Sequence, residues 1–156
     1  MPITIREDDL SGTQQRALLA LHLRGMHDNS PPGHVFALDL TGLSRPEITV
    51  WTAWDGEALT GMGALKVLED SGGEVKSMRT HPDHLRRGAA AALLEHIIAQ
   101  ARAKGLRRLS LETGDGPAFE PALALYRRRG FVNGDAFGDY EPSAFNQFLH
   151  LPLTAG

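Results

Sequence analysis

The stretch HPDHLRRGAAAA, residues 81–92, decides how this chain is interpreted. Pro82 ends a strand-like segment, and the alanines that follow Gly88 open a stretch with helical periodicity. The first turn of a helix presents unpaired backbone amides and a partial positive charge, so it binds phosphate well. Gly88 and the small side chains after it would let a ligand approach the backbone closely. An alanine-rich helix start without any ligand remains the alternative on these residues alone.

Outward from this junction, the hydrophobic pattern predicts a mixed sheet with helices on its faces, in the order β-α-(loop)-β-β-β-α-β-α-β-β. The strand before the junction covers about residues 74–80, and residues 48–68 form a hairpin ahead of it. A fifth strand is centred on residues 109–111, and residues 131–153 hold two more. The GMG sequence at 61–63 indicates a bulge or a close backbone approach within its strand.

Three helices accompany these strands. Ser11 and Gln14 have the spacing of a capping box at the start of the first helix. The helix after the junction is expected over 87–104, with Gly105 ending it. A short helix is expected over 121–129. The segment 34–43 has no clear pattern.

Composition restricts the function classes. A chain of 156 residues with 42% hydrophobic and 22% charged residues predicts one globular domain over residues 1–156. The absence of cysteine excludes disulfides, cysteine-ligated zinc and a cysteine nucleophile. A net charge of −3 offers no general attraction to nucleic acid or to anionic membranes. With no signal-peptide pattern and no membrane-length apolar run, a cytoplasmic location is expected.

Two motifs around the junction resemble the GNAT superfamily of acetyl-CoA-dependent N-acetyltransferases. The family signature [QR]-x-x-G-x-[GA] aligns on LRRGAA, residues 85–90, with Leu85 in place of Gln or Arg. A second family element, N-x-x-A-x-x-L-Y-x-x-x-G-F, aligns on residues 119–131, with Phe119 in place of Asn. Two partial motifs in the right order, separated by a helix and a strand, are more specific than either one alone.

The whole chain also resembles a bacterial GNAT subgroup whose members are often labelled indole-3-acetic acid acetyltransferases. Its marks are GEVKSMRT at 73–80, LETG at 111–114 and FGDY at 137–140. An aryl acetate carries no amine to acetylate, so the label does not identify the acceptor.

The resemblance implies a fold and a donor site. The fold class is α/β (α+β), with a mostly antiparallel sheet of six or seven strands that splay apart between strands 4 and 5 and helices on both faces. Main-chain groups of the fourth strand would bind pantetheine, and amides of the following loop would bind the diphosphate of acetyl-CoA. The donor-binding residues implied are Met78, Arg79, Thr80, Leu85, Arg86, Arg87, Gly88, Ala89, Ala90, Ala91, Phe119, Ala122 and Tyr126.

The same resemblance implies two catalytic residues and a direct ternary-complex transfer to a primary amine of a small molecule or peptide. Glu74 would accept a proton, because an ammonium has no lone pair with which to attack. Tyr126 would protonate the departing thiolate. The alternatives are a surface glutamate at a hairpin exit and a tyrosine that only packs on the sheet.

Several alternatives stay open. A catalytically silent acyl-CoA-binding regulatory module would use the same loop. A hydrolase or other enzyme unrelated to CoA would need a nucleophile–base pair, and no G-x-S-x-G elbow occurs. His81 and His84 lie three residues apart, but no third ligand is near in sequence, so no metal site is expected. The acceptor is not specified, and a homodimer is an open possibility because dimers are common in the superfamily.

Overall fold

The computed structural model describes residues 3–153. Seven strands, four α-helices and two short 3-10 turns follow one another along this part of the chain. The strands are β1 (Thr4–Glu7), β2 (Ile48–Asp55), β3 (Ala58–Val67), β4 (Gly72–Thr80), β5 (Arg108–Thr113), β6 (Val132–Asn133) and β7 (Gln147–Pro152). The helices are α1 (Thr13–Asn29), α2 (Leu40–Leu43), α3 (Ala89–Ala103) and α4 (Glu120–Arg129).

The strands form one sheet in the order β1-β2-β3-β4-β5-β7-β6, and the pair β4–β5 is parallel whereas the others are antiparallel. The parallel pair is short, with three aligned residue pairs that end at Glu74 opposite Ser110. Beyond this point β4 continues to Thr80 and β5 to Thr113, but the two strands no longer pair with each other. The predicted fold class is therefore confirmed, including the separation of the fourth and fifth strands.

Helices cover both faces of the sheet, as predicted. On one face, α1 and α2 bury Leu18, Leu19 and Leu43 in a cluster that includes Met62 of β3. On the other face, α3 and α4 bury a second cluster that includes Leu93 and Ile97. The i,i+4 spacing of Leu93 and Ile97 presents both to the sheet, which is why this segment is helical in the folded chain.

A β-bulge interrupts β4 beside the predicted GMG sequence. Lys76 pairs with Ala64 and Arg79 pairs with Met62, so two residues of β4 lie opposite Gly63. Ser77, one of these two, has a positive φ of 57°. A Cβ added at Gly63 would lie 2.5 Å from the sulfur of the facing methionine, so the glycine makes room for the bulge.

Two predicted helix starts were wrong. Helix α1 is N-capped by Gly12, which makes no side-chain cap, and the proposed partner Gln14 instead bonds the backbone of Glu57 and Leu59 at the hairpin turn. Helix α3 begins at Ala89 and not at residue 87, because Gly88 adopts a left-handed conformation with φ of 87° as its N-cap. The unassigned segment 34–43 contains the short helix α2.

Candidate active site

A cavity of about 220 Å³ occupies the gap between β4 and β5. This volume lies below the range of about 300–1,000 Å³ that is usual for small-molecule clefts. Its walls come from β4 (residues 74–79), β5 (111–113), α1 and the loop after it (36–37), and the start of α4. The α1 residues are His22, Gly25, Met26 and Asn29, and those around α4 are Ala118, Phe119, Ala122 and Tyr126.

Six of the predicted site residues line this cavity, namely Glu74, Met78, Arg79, Phe119, Ala122 and Tyr126. Thr80 ends β4, and the predicted residues 85–91 lie just beyond it, where β4 has diverged from β5. The fold thus brings β4 and the 119–131 motif to one gap in the sheet, whereas the loop 85–91 lies beyond the end of β4 and does not line the cavity.

The loop before α3 has an unusual backbone. Arg86 and Gly88 have positive φ values of 63° and 87°. The first helical hydrogen bond runs from the Ala92 amide to the Gly88 carbonyl at 2.9 Å, so the amides of residues 89–91 have no partner within the helix. Left-handed residues next to free helix amides form a concave array of donors, which suits an anion such as a diphosphate.

The inner edge of β4 offers further polar groups. β3 pairs with one edge of β4 along the strand. The other edge, which faces β5, is unpaired beyond Glu74. The Ser77 hydroxyl oxygen is buried and has no hydrogen-bond partner among residues 3–153. A buried polar atom without a partner costs about 1–3 kcal/mol. These groups fit an extended ligand with amide groups that lies along the strand and supplies the missing bonds.

Tyr126 is buried on α4 and faces the cavity one turn after Ala122. Its ring packs edge-on against Phe131 at a centroid distance of 5.7 Å. Burial raises the pKa of its hydroxyl above the ordinary value of 10.0. The hydroxyl therefore carries its proton throughout the neutral pH range.

The two residues that depart from the family motifs lie in different environments. Phe119, which replaces the family asparagine, is buried and stacks edge-on with Phe145 at 5.6 Å. It contributes an apolar wall where the asparagine would have supplied a hydrogen bond. Leu85 is 59% exposed, so it lies on the outside of the loop.

Glu74 belongs to a buried polar cluster. It is 3% exposed, and its Oε2 accepts hydrogen bonds from Lys76 Nζ at 3.1 Å and from Tyr140 Oη at 2.5 Å. Lys76 also donates to Tyr140 Oη at 2.9 Å. Burial, followed by the Glu74 charge, raises the pKa of Tyr140. One oxygen of the predicted base is thus already satisfied inside the protein.

Glu112 is a carboxylate that the sequence did not single out as a proton acceptor. It lies on β5 and lines the cavity wall. Burial raises its pKa to about 7, the Glu74 charge adds to the rise, and Lys76 opposes it. The sequence signal was the alternation in LETG at 111–114, which places one acidic side chain between two buried neighbours.

Arg79 and His22 form a second polar pair on the cavity wall. The Arg79 Nε donates to His22 Nδ1 at 3.0 Å. Burial, with a smaller contribution from the Arg79 charge, lowers the pKa of His22 to about 4. His22 is therefore neutral near pH 7, and Arg79 carries the only formal positive charge of this pair.

Other clusters do not form a second centre in the described part of the chain. Among residues 3–153, no group of three or more His, Asp or Glu side chains is placed to hold a metal ion. His81 and His84 stack edge-on at 5.4 Å. Ser110 contacts His150 Nδ1 at 2.7 Å, but Ser110 is completely buried and does not line the cavity. None of the helices in this part is long and apolar enough to cross a membrane.

Sequence comparison assigns the family. Residues 16–131 match the model of the Acetyltransferase (GNAT) family, which is more than half of the chain. The chain belongs to this family and is an acyltransferase, as the two motifs indicated.

Relatives cover nearly the whole chain. The uncharacterized N-acetyltransferase YsnE of Bacillus subtilis (strain 168) is 50% identical over 149 residues, which cover 96% of this chain and 99% of that protein. The uncharacterized N-acetyltransferase YedL of Escherichia coli (strain K12) is 46% identical over 150 residues, covering 96% and 94%. The IAA acetyltransferase of Azospirillum brasilense is 37% identical over 131 residues, covering 83% and 84%.

Solved structures share the fold. A Bacillus subtilis acetyltransferase in complex with CoA superposes with a TM-score of 0.72 at 19% identity, over 98% of this chain and 100% of that chain. At this identity the likeness describes the fold and not the acceptor.

Glu112→Gln should change how stability depends on pH. The folded protein holds a proton on Glu112 up to about pH 7, whereas the reference pKa is 4.5. This contribution is fully present below pH 4.5 and is lost as the pH rises through 7. The free energy of unfolding of the wild type, relative to the variant, should therefore fall by about 3 kcal/mol across that window, because each unit of pKa difference is worth about 1.4 kcal/mol.

Urea denaturation at pH 4.5, 6 and 8 measures this difference. Glu57→Gln, on the exposed hairpin loop, is the matched control and should follow the wild type. Parallel pH profiles for the wild type and Glu112→Gln would contradict the raised pKa.

Proposed function

We propose that this enzyme is an acetyl-CoA-dependent N-acetyltransferase that moves an acetyl group to a primary amine of a small molecule within a ternary complex. The observation that carries the proposal is the gap between β4 and β5. The unpaired edge of β4, the buried Tyr126 and the Glu112 carboxylate, whose pKa is about 7, all line this gap.

The donor site follows from the backbone. The amides of residues 89–91, freed by the left-handed Gly88, would hold the diphosphate. The edge of β4 at residues 78–80 and the unpartnered Ser77 hydroxyl would pair with the pantetheine arm. Amides along this edge would also stabilise the oxyanion that develops on the thioester carbonyl. Two solved relatives of this fold are described with CoA or with acetyl-CoA, which supports the assignment.

Two side chains would move the protons. Tyr126, kept protonated by burial, donates to the thiolate as the carbon–sulfur bond breaks. Glu112 takes the proton that the amine loses as the carbon–nitrogen bond forms. We favour Glu112 over Glu74, because Glu74 is already bonded to Lys76 and Tyr140 and Glu112 titrates near neutrality.

A catalytically silent acyl-CoA-binding module would bind the donor through the same loop. Phe119 favours this alternative to the extent that it removes a family hydrogen-bonding group. Turnover with any amine separates the two, since only the transferase releases free CoA thiol in an amine-dependent way.

Acetyl-CoA should stabilise the protein against heat. At a ligand concentration of 100 Kd, binding adds about 2.7 kcal/mol to the free energy of unfolding, which is several degrees in Tm for a domain of this size.

Gly88→Ala and Gly105→Ala are a matched pair of variants at the two ends of α3. Both glycines have positive φ values, 87° and 75°, and an added Cβ at either meets nothing within 4 Å.

Each alanine should therefore lower the free energy of unfolding by about 1–2 kcal/mol through backbone strain alone, and Tm should fall accordingly. Only Gly88→Ala should also reduce the shift produced by acetyl-CoA, because its Cβ occupies the anion-binding loop. No shift with the wild type, or an equal shift in both variants, would contradict this donor site.

Tyr126→Phe should lower kcat by roughly 100-fold, because loss of one general acid typically costs 10²–10⁴ in rate. The affinity for acetyl-CoA should change little, since the phenyl ring still packs on Phe131. Steady-state release of free CoA thiol, alongside a thermal-shift titration of the donor, measures both. An unchanged kcat would remove Tyr126 from the proton path.

The pH dependence of kcat should separate the two carboxylates. In the wild type, kcat should rise as the pH passes about 7, where Glu112 loses its proton. Glu112→Gln should abolish this rise. Glu74→Gln should retain it but shift it to lower pH, because the Glu74 charge is one of the causes that raise the Glu112 pKa. Loss of the rise in Glu74→Gln alone would make Glu74 the base.

A further inference from the structure

The cavity contains a cation that the proposed transfer does not use. Arg79 is half-buried, and its side chain lies on the α1 side of the sheet. Its backbone is part of the proposed donor edge, but its guanidinium points to the opposite wall, toward His22 and Gly25. In a mostly buried site, a guanidinium is costly unless an anion pairs with it.

No anion of the described chain pairs with Arg79. Its hydrogen bond goes from Nε to the neutral His22, and none of the ion pairs among residues 3–153 includes it. Glu74, the nearest buried carboxylate in sequence, is bonded to Lys76. The terminal nitrogens of Arg79 are left to pair with a ligand in the cavity.

Helix α1 leaves room for these nitrogens. A Cβ added at Gly25 would lie 3.0 Å from a terminal nitrogen of Arg79, so any larger residue would press on the guanidinium. Glycine inside a helix costs about 1 kcal/mol relative to alanine. The glycine therefore stands where the helix passes close to the arginine.

We propose that the acceptor is a free amino acid, whose carboxylate pairs with the Arg79 guanidinium while its amine faces Glu112. This inference rests on the proposed transferase function and specifies the substrate class of the same site. A planar guanidinium binds a carboxylate through two parallel hydrogen bonds. The cavity thus offers one group for each charge of a zwitterion.

The size and walls of the cavity agree with this class. At about 220 Å³ the cavity is smaller than the usual small-molecule cleft, so it suits a compact acceptor better than a folded segment of a protein. Met26, Phe36 and Ala37 add apolar surface beside the charged groups. A peptide N-terminus also carries an amine, but it would place a neutral amide, and not a carboxylate, beside the Arg79 guanidinium.

The test compares each of the twenty proteinogenic amino acids, and β-alanine, with its own carboxamide. The carboxamide keeps the amine and side chain but removes the carboxylate charge, so it also mimics a peptide N-terminus. Acetyl transfer is followed by release of free CoA thiol and by mass spectrometry of the product. At least one acid should be acetylated with a kcat/KM tenfold or more above that of its amide.

Arg79 variants then assign the preference to this side chain. Arg79→Gln should raise KM for the acid about tenfold or more and reduce the preference over the amide. Arg79→Lys keeps the charge but cannot bind a carboxylate in a bidentate way. This variant should therefore retain part of the preference for the acid over the amide. Arg102→Gln, on the exposed far end of α3, is the matched control and should behave like the wild type.

The outcomes are distinguishable. If amides are acetylated as well as acids, or if Arg79→Gln affects both alike, the amino-acid class is overturned and the transferase function stands. If acetyl-CoA shifts Tm but no acid is acetylated, this class is again overturned. If acetyl-CoA causes no shift, the donor site fails and the proposed function fails with it.

Discussion

The parting of β4 from β5 is the constraint on which the site depends. After Glu74 aligns with Ser110, β4 runs on for six residues without a partner on this side. Buried strand edges are normally paired, because unpaired backbone groups lose their hydrogen bonds to water without replacement. Here the edge borders a cavity in place of a neighbouring strand. The sheet stays intact because β5 is held on its other side by β7 along six aligned residues.

The bulge at Ser77 decides which side chains reach that cavity from the α1 side. Side chains alternate along a strand with a period of two, so an extra residue reverses every side chain beyond it. Glu74 and Lys76 face the Tyr140 side of the sheet, and Met78 contacts the opposite side, beside Gly63. Because of the inserted residue, Arg79 returns to the α1 side, where it meets His22. Without the bulge, Arg79 would point at α3.

The sequence predicted the fold and the strand–loop–helix junction well, because both depend on local signals. A proline-ended strand, a glycine and small helix-start residues identify the junction at 81–92 without knowledge of the rest. The Glu112 environment was not predictable in this way. Its pKa depends on burial by segments distant in sequence and on the charges of Glu74 and Lys76. Likewise, the capping box at Ser11 failed because Gln14 found partners 43 and 45 residues away, at the hairpin turn.

The division of roles between the two carboxylates follows from a shared cation. Lys76 is the one ammonium bonded within this cluster of the described residues, and it pairs with Glu74 at 3.1 Å. Glu112 is bonded to neither Lys76 nor Tyr140, and a partly buried carboxylate beside another carboxylate keeps its proton to higher pH. Tyr140 reinforces the asymmetry by donating its hydroxyl to Glu74. Glu112 is therefore the group that changes charge near neutrality, chiefly because it is partly buried, and the Glu74 charge adds to the rise of its pKa.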